Sequence, residues 1–176
     1  MLTRATDSDV PAIVRLMNVA FRATGPGASW NSEAHIIDGD RTTEELLRAE
    51  LSESPEVALL VWRAAPAGAI QGCVSLKPTA DEVWYLGTLS VNPRLQNSGF
   101  GTRLLTAAEE WAAEHGARII RLKVVNARDT LIAWYLRRGY RLTGETLPFP
   151  YDDRRFGTPR RDDLTFVILD KQIREH

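Results

Sequence analysis

Cysteine is almost missing from this chain: Cys73 is the only one among 176 residues. No internal disulfide can form, and a cysteine-based metal site is excluded. Cys73 sits in the alternating apolar run QGCVSLK, where a buried structural thiol is favoured over a nucleophile, because free cysteine is commonly buried. The chain also lacks any apolar run of the ~18 residues that spanning a bilayer requires. Its start, MLTRATDSDVP, has no apolar core of signal-peptide length. These absences lead us to expect a cytoplasmic protein with no membrane partner. An excess of one charge is missing too: 22 Lys and Arg against 23 Asp and Glu leave a formal charge of -1. No global field therefore draws the protein to nucleic acid or to an anionic surface. What is present is 44% hydrophobic residues, including five tryptophans, enough for a folded core, at a length that suits one domain over residues 1–176.

Along the chain, MLTRA alternates as a short strand. The following segment has Asp7 or Ser8 to cap a helix, Pro11 in its first turn, and an apolar face of Ile13, Leu16, Met17, Ala20 and Phe21. Residues 23–41 hold glycines, a proline and no sustained period, so they read as a long loop, and loops of that length in a compact domain are usually functional or mobile. TTEELLRAELSE predicts a short helix capped by Thr42 or Thr43. Strands are predicted at 56–64, 68–78 and 82–91, and their short links favour an antiparallel meander. A helix then runs to residue 115, followed by a strand at 117–125, a helix from RDTLIAWYLRR ended by Gly139, a strand from YRLTGETL and a last strand from LTFVILDKQI. Strands with helices between some of them make an α+β domain with a mixed sheet.

The stretch NPRLQNSGFGTRLL (92–105) puts Gly99 and Gly101 where a helix begins. The first backbone N–H groups of a helix have no internal partner and carry the positive end of its dipole, so the turn can hold an anion. Glycine there permits close approach, or only a tight turn; the glycines alone do not choose. The Walker pattern is excluded because Gly101-Thr102 lacks its lysine. The dinucleotide fingerprint is excluded as well, since its three-glycine spacing and early strand are missing.

Gln96-Asn97-Ser98-Gly99-Phe100-Gly101 realises the signature Q/R-x-x-G-x-G/A. Here the sequence resembles the GNAT superfamily, the Gcn5-related N-acetyltransferases. LSVNPRLQNSGFGTRLL looks like the family's acetyl-CoA motif, and RLKVVNARDTLIAWYLRRGYRLTGE like its next strand, helix and glycine-aromatic corner. The order of elements matches over nearly the whole chain. The resemblance implies a GNAT fold: a central, mostly antiparallel sheet of about seven strands flanked by about four helices. It implies an acetyl-CoA-dependent N-acetyltransferase that moves the acetyl group directly to a primary amine of a small molecule or peptide. A noncatalytic acyl-CoA-binding module is the alternative. It leaves monomer and homodimer open.

By position, the resemblance implies that backbone amides of Gln96, Asn97, Ser98, Gly99, Phe100, Gly101 and Thr102 hold the pyrophosphate of coenzyme A. The main chain of Leu89, Ser90 and Val91 would pair with the pantetheine arm, on a strand that splays from its neighbour. Gly87 in mid-strand fits a bulge there, whose N–H would polarise the thioester carbonyl. Tyr135 falls on the tyrosine that protonates the departing thiolate; read without the family, it is an aromatic of a helix face beside Trp134. Arg128 stands where relatives have asparagine, and either reaches a phosphate or is a surface charge, while Asn126 and Asp129 suit a helix cap. Tyr85 and Lys123 occupy the two positions where relatives place a glutamate base, so the base is not named; Glu33, His35, Asp152 and Asp153 are candidates, as is a water relay toward Tyr85. Trp30, Tyr85 and Phe149 are expected to wall the acceptor cleft, with Glu33 and the Asp152-Asp153 pair attracting an ammonium.

Overall fold

The chain enters the fold through β1 (Leu2–Arg4) and α1 (Val10–Arg22). In the computed structural model, which describes residues 1–173 apart from the Phe156 side chain, neither Asp7 nor Ser8 caps α1. Both belong to a single 3-10 turn, Asp7–Asp9, at whose start the Asp9 carboxylate accepts the Thr6 N–H at 2.9 Å. The loop that follows contains two strand residues, β2 (Ile37–Asp38). Thr43 then starts α2 (Glu44–Glu53), its hydroxyl accepting the Leu46 N–H at 3.2 Å. Next come β3 (Ala58–Arg63), β4 (Ile70–Pro78) and β5 (Val83–Val91), the antiparallel meander the short links require. The second half consists of α3 (Phe100–Glu114), β6 (Ile119–Val125), α4 (Asp129–Leu136), β7 (Arg141–Pro148), β8 (Thr158–Pro159) and β9 (Thr165–Gln172).

Seven strands form one sheet in the order β1-β3-β4-β5-β6-β9-β7, and only β5 and β6 run parallel. Because successive strand residues face opposite sides, β3 divides its apolar residues between two layers. Ala58 and Leu60 join the cluster under α3, while Leu59 and Val61 join the one under α1 and α2. On β4, Val74 and Leu76 take the first side and Cys73 the second. Cys73 is fully buried, and burial pushes its thiol up to about 12, so it is inert packing at neutral pH.

The parallel pair is short. Val83, Trp84 and Tyr85 face Ile119, Ile120 and Arg121, and beyond Tyr85 the two strands part. On its other edge β5 stays with β4, except at a bulge where Cys73 faces Ser90 but Ser75 faces Gly87. Thr88 in this bulge takes φ 50°, unusual for a β-branched residue.

The two irregular segments are tied together. β2 pairs with β8, and beneath them Ile36, Ile37, Val125 and Leu164 form a third small core against Phe149, Tyr151 and Phe166. The long loop is therefore not free chain. Gly157 enables this union: its φ of 108° is open to glycine alone, and a Cβ there would collide with the Asp38 carbonyl. Gly157→Ala should cost about 1–3 kcal/mol for the backbone conformation. A calorimetric scan should find Tm lowered by roughly 2–4 °C per kcal/mol, whereas an unchanged Tm would mean that the turn relaxes without cost.

Candidate active site

Where β5 leaves β6, the edge of β5 that faced β6 has no further strand to pair with. Backbone groups of Gly87 to Val91 on that edge need another partner, which is what an extended amide-bearing ligand offers. Leu89, Ser90 and Val91 lie on this opened stretch; Ser90 is fully buried, and its hydroxyl donates to the Thr88 carbonyl at 2.9 Å.

The glycine turn follows directly. A 3-10 turn at Pro93–Leu95 leads to Gln96, and Gly99 precedes α3 with φ 74° and no side-chain cap. The amides of Phe100, Gly101 and Thr102 open a 15-residue helix and keep their donors. Open space surrounds the place of a Gly99 Cβ, and one on Gly101 would touch Trp134 at 3.5 Å. Asn97 also has positive φ, 61°. Ser98 turns its hydroxyl back to the Leu95 carbonyl at 2.5 Å, and Thr102 Oγ1 accepts from Arg138 at 2.7 and 3.0 Å. The donors facing outward are thus main-chain ones, which suits a diphosphate.

Gln96 does something sequence reading missed. Its side chain reaches the loop, donating to Ser29 Oγ at 2.5 Å and accepting from the Trp30 N–H at 3.2 Å. Trp30 accordingly packs against Trp134, 6.1 Å between rings, beside the glycine turn, and is not among the cleft walls.

The cleft itself, about 790 Å³, reaches the bulge at Ser75, Gly87 and Thr88. Tyr85, Gly87, Thr88, Leu89, Tyr135 and Phe149 line it. Tyr135 on α4 is buried and packs edge-on to Trp134 and Tyr140. Its hydroxyl makes no hydrogen bond to another described side chain or backbone group. Burial pushes its phenol well above the ordinary tyrosine value, against the opposing pull of Arg128 and Arg138. At neutral pH it holds its proton.

Glu33 and Arg128 turn out to be partners. Glu33 Oε2 meets Arg128 at 3.3 Å while Oε1 meets Arg22 at 3.3 Å, all three side chains being at most 10% exposed. Arg128 also donates to the Asn31 carbonyl at 2.8 Å and to Asn31 Oδ1 at 2.5 Å. Neither sequence alternative for Arg128 describes this: it is buried, and its bonds go to the loop rather than toward the glycine turn. Asn126 does not cap α4 either; its amide bridges the Asp163 carbonyl and the Thr165 N–H, both at 3.1 Å. Of the other carboxylates expected near the cleft, Asp152 is exposed outside it, and Asp153 lines it but is held by Arg155 at 2.7 Å. His35 is exposed and outside it.

Glu50, on α2, is a lining residue that sequence reading passed over. It forms no ion pair among the described residues, and burial raises its carboxyl above the ordinary range. Lys123 also lines the cleft, its ammonium 4.8 Å from the Phe166 ring centre. It is open to water on the cleft side yet flanked by protein, and this loss of water, aided by Arg41, lowers its pKa. Among the described residues no group of His, Cys, Asp and Glu is arranged to hold a metal.

The profile of the acetyltransferase (GNAT) family matches residues 25–140. The chain belongs to the GNAT family of acetyltransferases. An uncharacterized N-acetyltransferase of Bacillus subtilis (strain 168), YhfO, is 28% identical over 144 residues, covering 79% of this chain and 88% of that protein. Among solved structures, Ard1 from Thermoplasma volcanium superposes with a TM-score of 0.69 at 18% identity, over 99% of this chain and 98% of that one. The ribosomal-protein-alanine N-acetyltransferase from Brucella melitensis gives 0.68 at 21%, over 98% and 99%. At these identities the structures speak for the GNAT fold alone; the seven-stranded mixed sheet with four helices matches it. No helix among the described residues is long and apolar enough to cross a membrane.

The buried Arg22–Glu33–Arg128 bridge can be tested directly. Breaking a buried ion pair from one side typically costs about 3–5 kcal/mol, and Arg22 remaining on Glu33 should hold Arg128→Ala to the lower end. Chemical denaturation should show that loss, and calorimetric titration should leave coenzyme A affinity little altered. A large loss of that affinity at unchanged stability would instead assign Arg128 to a phosphate.

Proposed function

We propose that this GNAT enzyme transfers the acetyl group of acetyl-CoA directly to a primary amine bound in the cleft, within one N-acetyltransferase domain spanning residues 1–176. The observation that carries the reading is the adjacency of two features: an uncapped glycine turn of outward amides, and a cleft that reaches the same bulged strand and holds a protonated phenol. Members of the family use acetyl-CoA as a general rule, and the residues here fit it. The amides of Gln96 to Thr102 would take the diphosphate, and the free edge of β5 at Leu89, Ser90 and Val91 the amide groups of the arm. When bound, acetyl-CoA supplies an activated thioester carbonyl.

The chain's own groups then divide the proton work. The bulge around Gly87 and Thr88 offers main-chain N–H donors toward a carbonyl oxygen that gains charge. As the amine nitrogen bonds to the carbonyl carbon and the carbon-sulfur bond breaks, Tyr135 gives its proton to the leaving sulfur. Glu50 takes the proton that the amine gives up, directly or through water, because it is the lining carboxylate that no arginine holds. Tyr85 walls the cleft near the end of the parallel pairing. The reaction is placed in the cytoplasm, with a small-molecule or peptide amine as partner, and with monomer or homodimer both compatible.

Thiol release from acetyl-CoA across a panel of amines, amino acids, polyamines and peptides, each against a blank without acceptor, tests the reading. Release that depends on an acceptor is expected; tight acetyl-CoA binding with no acceptor-dependent release would favour a binding module. Tyr135→Phe should lower kcat about 10²–10⁴-fold, the usual contribution of a positioned acid, with coenzyme A affinity intact. An unchanged kcat would remove the phenol from the mechanism.

Glu50 sets a pH limit whose sign follows from its role. A base works deprotonated, so activity is full above its pKa and falls as pH drops through it; the raised pKa places that acid limb above the ordinary carboxylate range of roughly 4. Glu50→Gln should lower kcat and abolish the limb, while a limb unchanged in the variant would assign the base elsewhere.

A further inference from the structure

The charges lining the cleft do not cancel. Arg22, Arg41, Lys77, Lys123 and Arg128 face it, against Glu33, Glu50 and Asp153. Most are already matched: Glu33 takes Arg22 and Arg128, Asp153 takes Arg155, and Lys77 pairs with Glu56 outside the lining at 3.1 Å. Glu50 and Lys123 remain, neither with an ion-pair partner among the described residues.

Lys123 is the informative one. Among the described residues it has neither a carboxylate at ion-pair distance nor a hydrogen-bond acceptor; it rests over Phe166 at 4.8 Å. An aromatic face holds an ammonium in place without neutralising it. The Phe166 ring itself lines the cleft. A cation without a counter-charge in the cleft wall draws an anion to this part of the cleft. Around it the walls are apolar, with Leu131, Leu147, Phe149 and Phe166, and a poorly hydrated wall strengthens a charge contact.

We infer that the acceptor carries an acidic group beside its amine, the simplest case being an α-amino acid, and that Lys123 receives that acid group while the amine faces the thioester. Lys123 thus selects the substrate and does not enter the bond-making step. The inference rests on the acetyl-transfer reading for the amine end only; the acid end is a binding statement that stands apart from turnover.

The test uses matched pairs: each proteinogenic amino acid and its carboxamide, which keep the amine and side chain and differ in the anion. Calorimetric titration onto the protein preloaded with coenzyme A reads binding, and thiol release reads turnover. In the unaltered protein at least one acid should bind about tenfold or more tighter than its amide, the scale of a charge-assisted hydrogen bond. Lys123→Met should collapse that ratio toward unity, and Lys123→Arg should keep most of it. Equal binding of every acid and its amide overturns the inference, as does a ratio that survives in Lys123→Met, or a panel in which nothing binds. Acids that bind through Lys123 but release no thiol would leave the anion subsite standing and overturn the transfer reading instead.

Discussion

The parting of β5 from β6 after three residue pairs is the constraint on which the remainder of the site depends. Each strand is committed elsewhere: β5 follows β4 along its length, and β6 follows β9 from Ile119 to Val125. Arg121 on β6 clasps Asp170 on β9 with two bonds of 2.7 Å, a fork that also sets their register. The sheet therefore consists of two continuous halves joined at one end. Right-handed twist carries the halves apart at the other end. That opening exposes main-chain groups on one side and lets the cleft reach the bulge on the other.

α3 and α4 exploit the opening from opposite edges. The end of β5 leads through a short turn into α3, so the helix start lies beside the free strand edge by connectivity alone. Arg128 directly precedes α4, and its side chain is spent on holding the loop. This places Tyr135 two turns later at the cleft, buried enough to keep its proton. A second buried device fixes the far end of α3: Glu109 accepts from Tyr140 at 2.8 Å and Lys171 at 2.7 Å, linking α3 to the glycine-aromatic corner and to β9. Such networks rigidify a site only when fully satisfied, and both carboxylate oxygens of Glu109 are.

Much of the fold was legible because its signals are local. Alternation in QGCVSLK, the Thr43 cap and the glycine turn each involve residues within a few positions of one another, where propensity and side-chain direction act directly. The same holds for the motif that identified the family. What misled sequence reading was nearly always a long-range partner. Arg128 and Glu33 are 95 positions apart; the one read as a phosphate contact or a surface charge and the other as a candidate base until the fold closed them on each other. Trp30 read as a cleft wall and instead shields the glycine turn, because Gln96, 66 positions away, holds its backbone.

The sequence by itself determined the order of the main strands and helices, the glycine turn at Gly99 and Gly101, and the presence of Tyr135 on the helix that ends at a glycine. Tertiary structure alone decided which charges are free to act. A carboxylate becomes a base or an ion-pair hub according to whether a guanidinium lies next to it, and that depends on chain segments brought together by folding. Glu33 was thereby taken out of service, Glu50 and Lys123 were left facing the cleft, and the long loop was fastened through β2 and β8. Periodicity acts over a turn of helix or a pair of strand residues, whereas electrostatic pairing acts across space regardless of sequence distance.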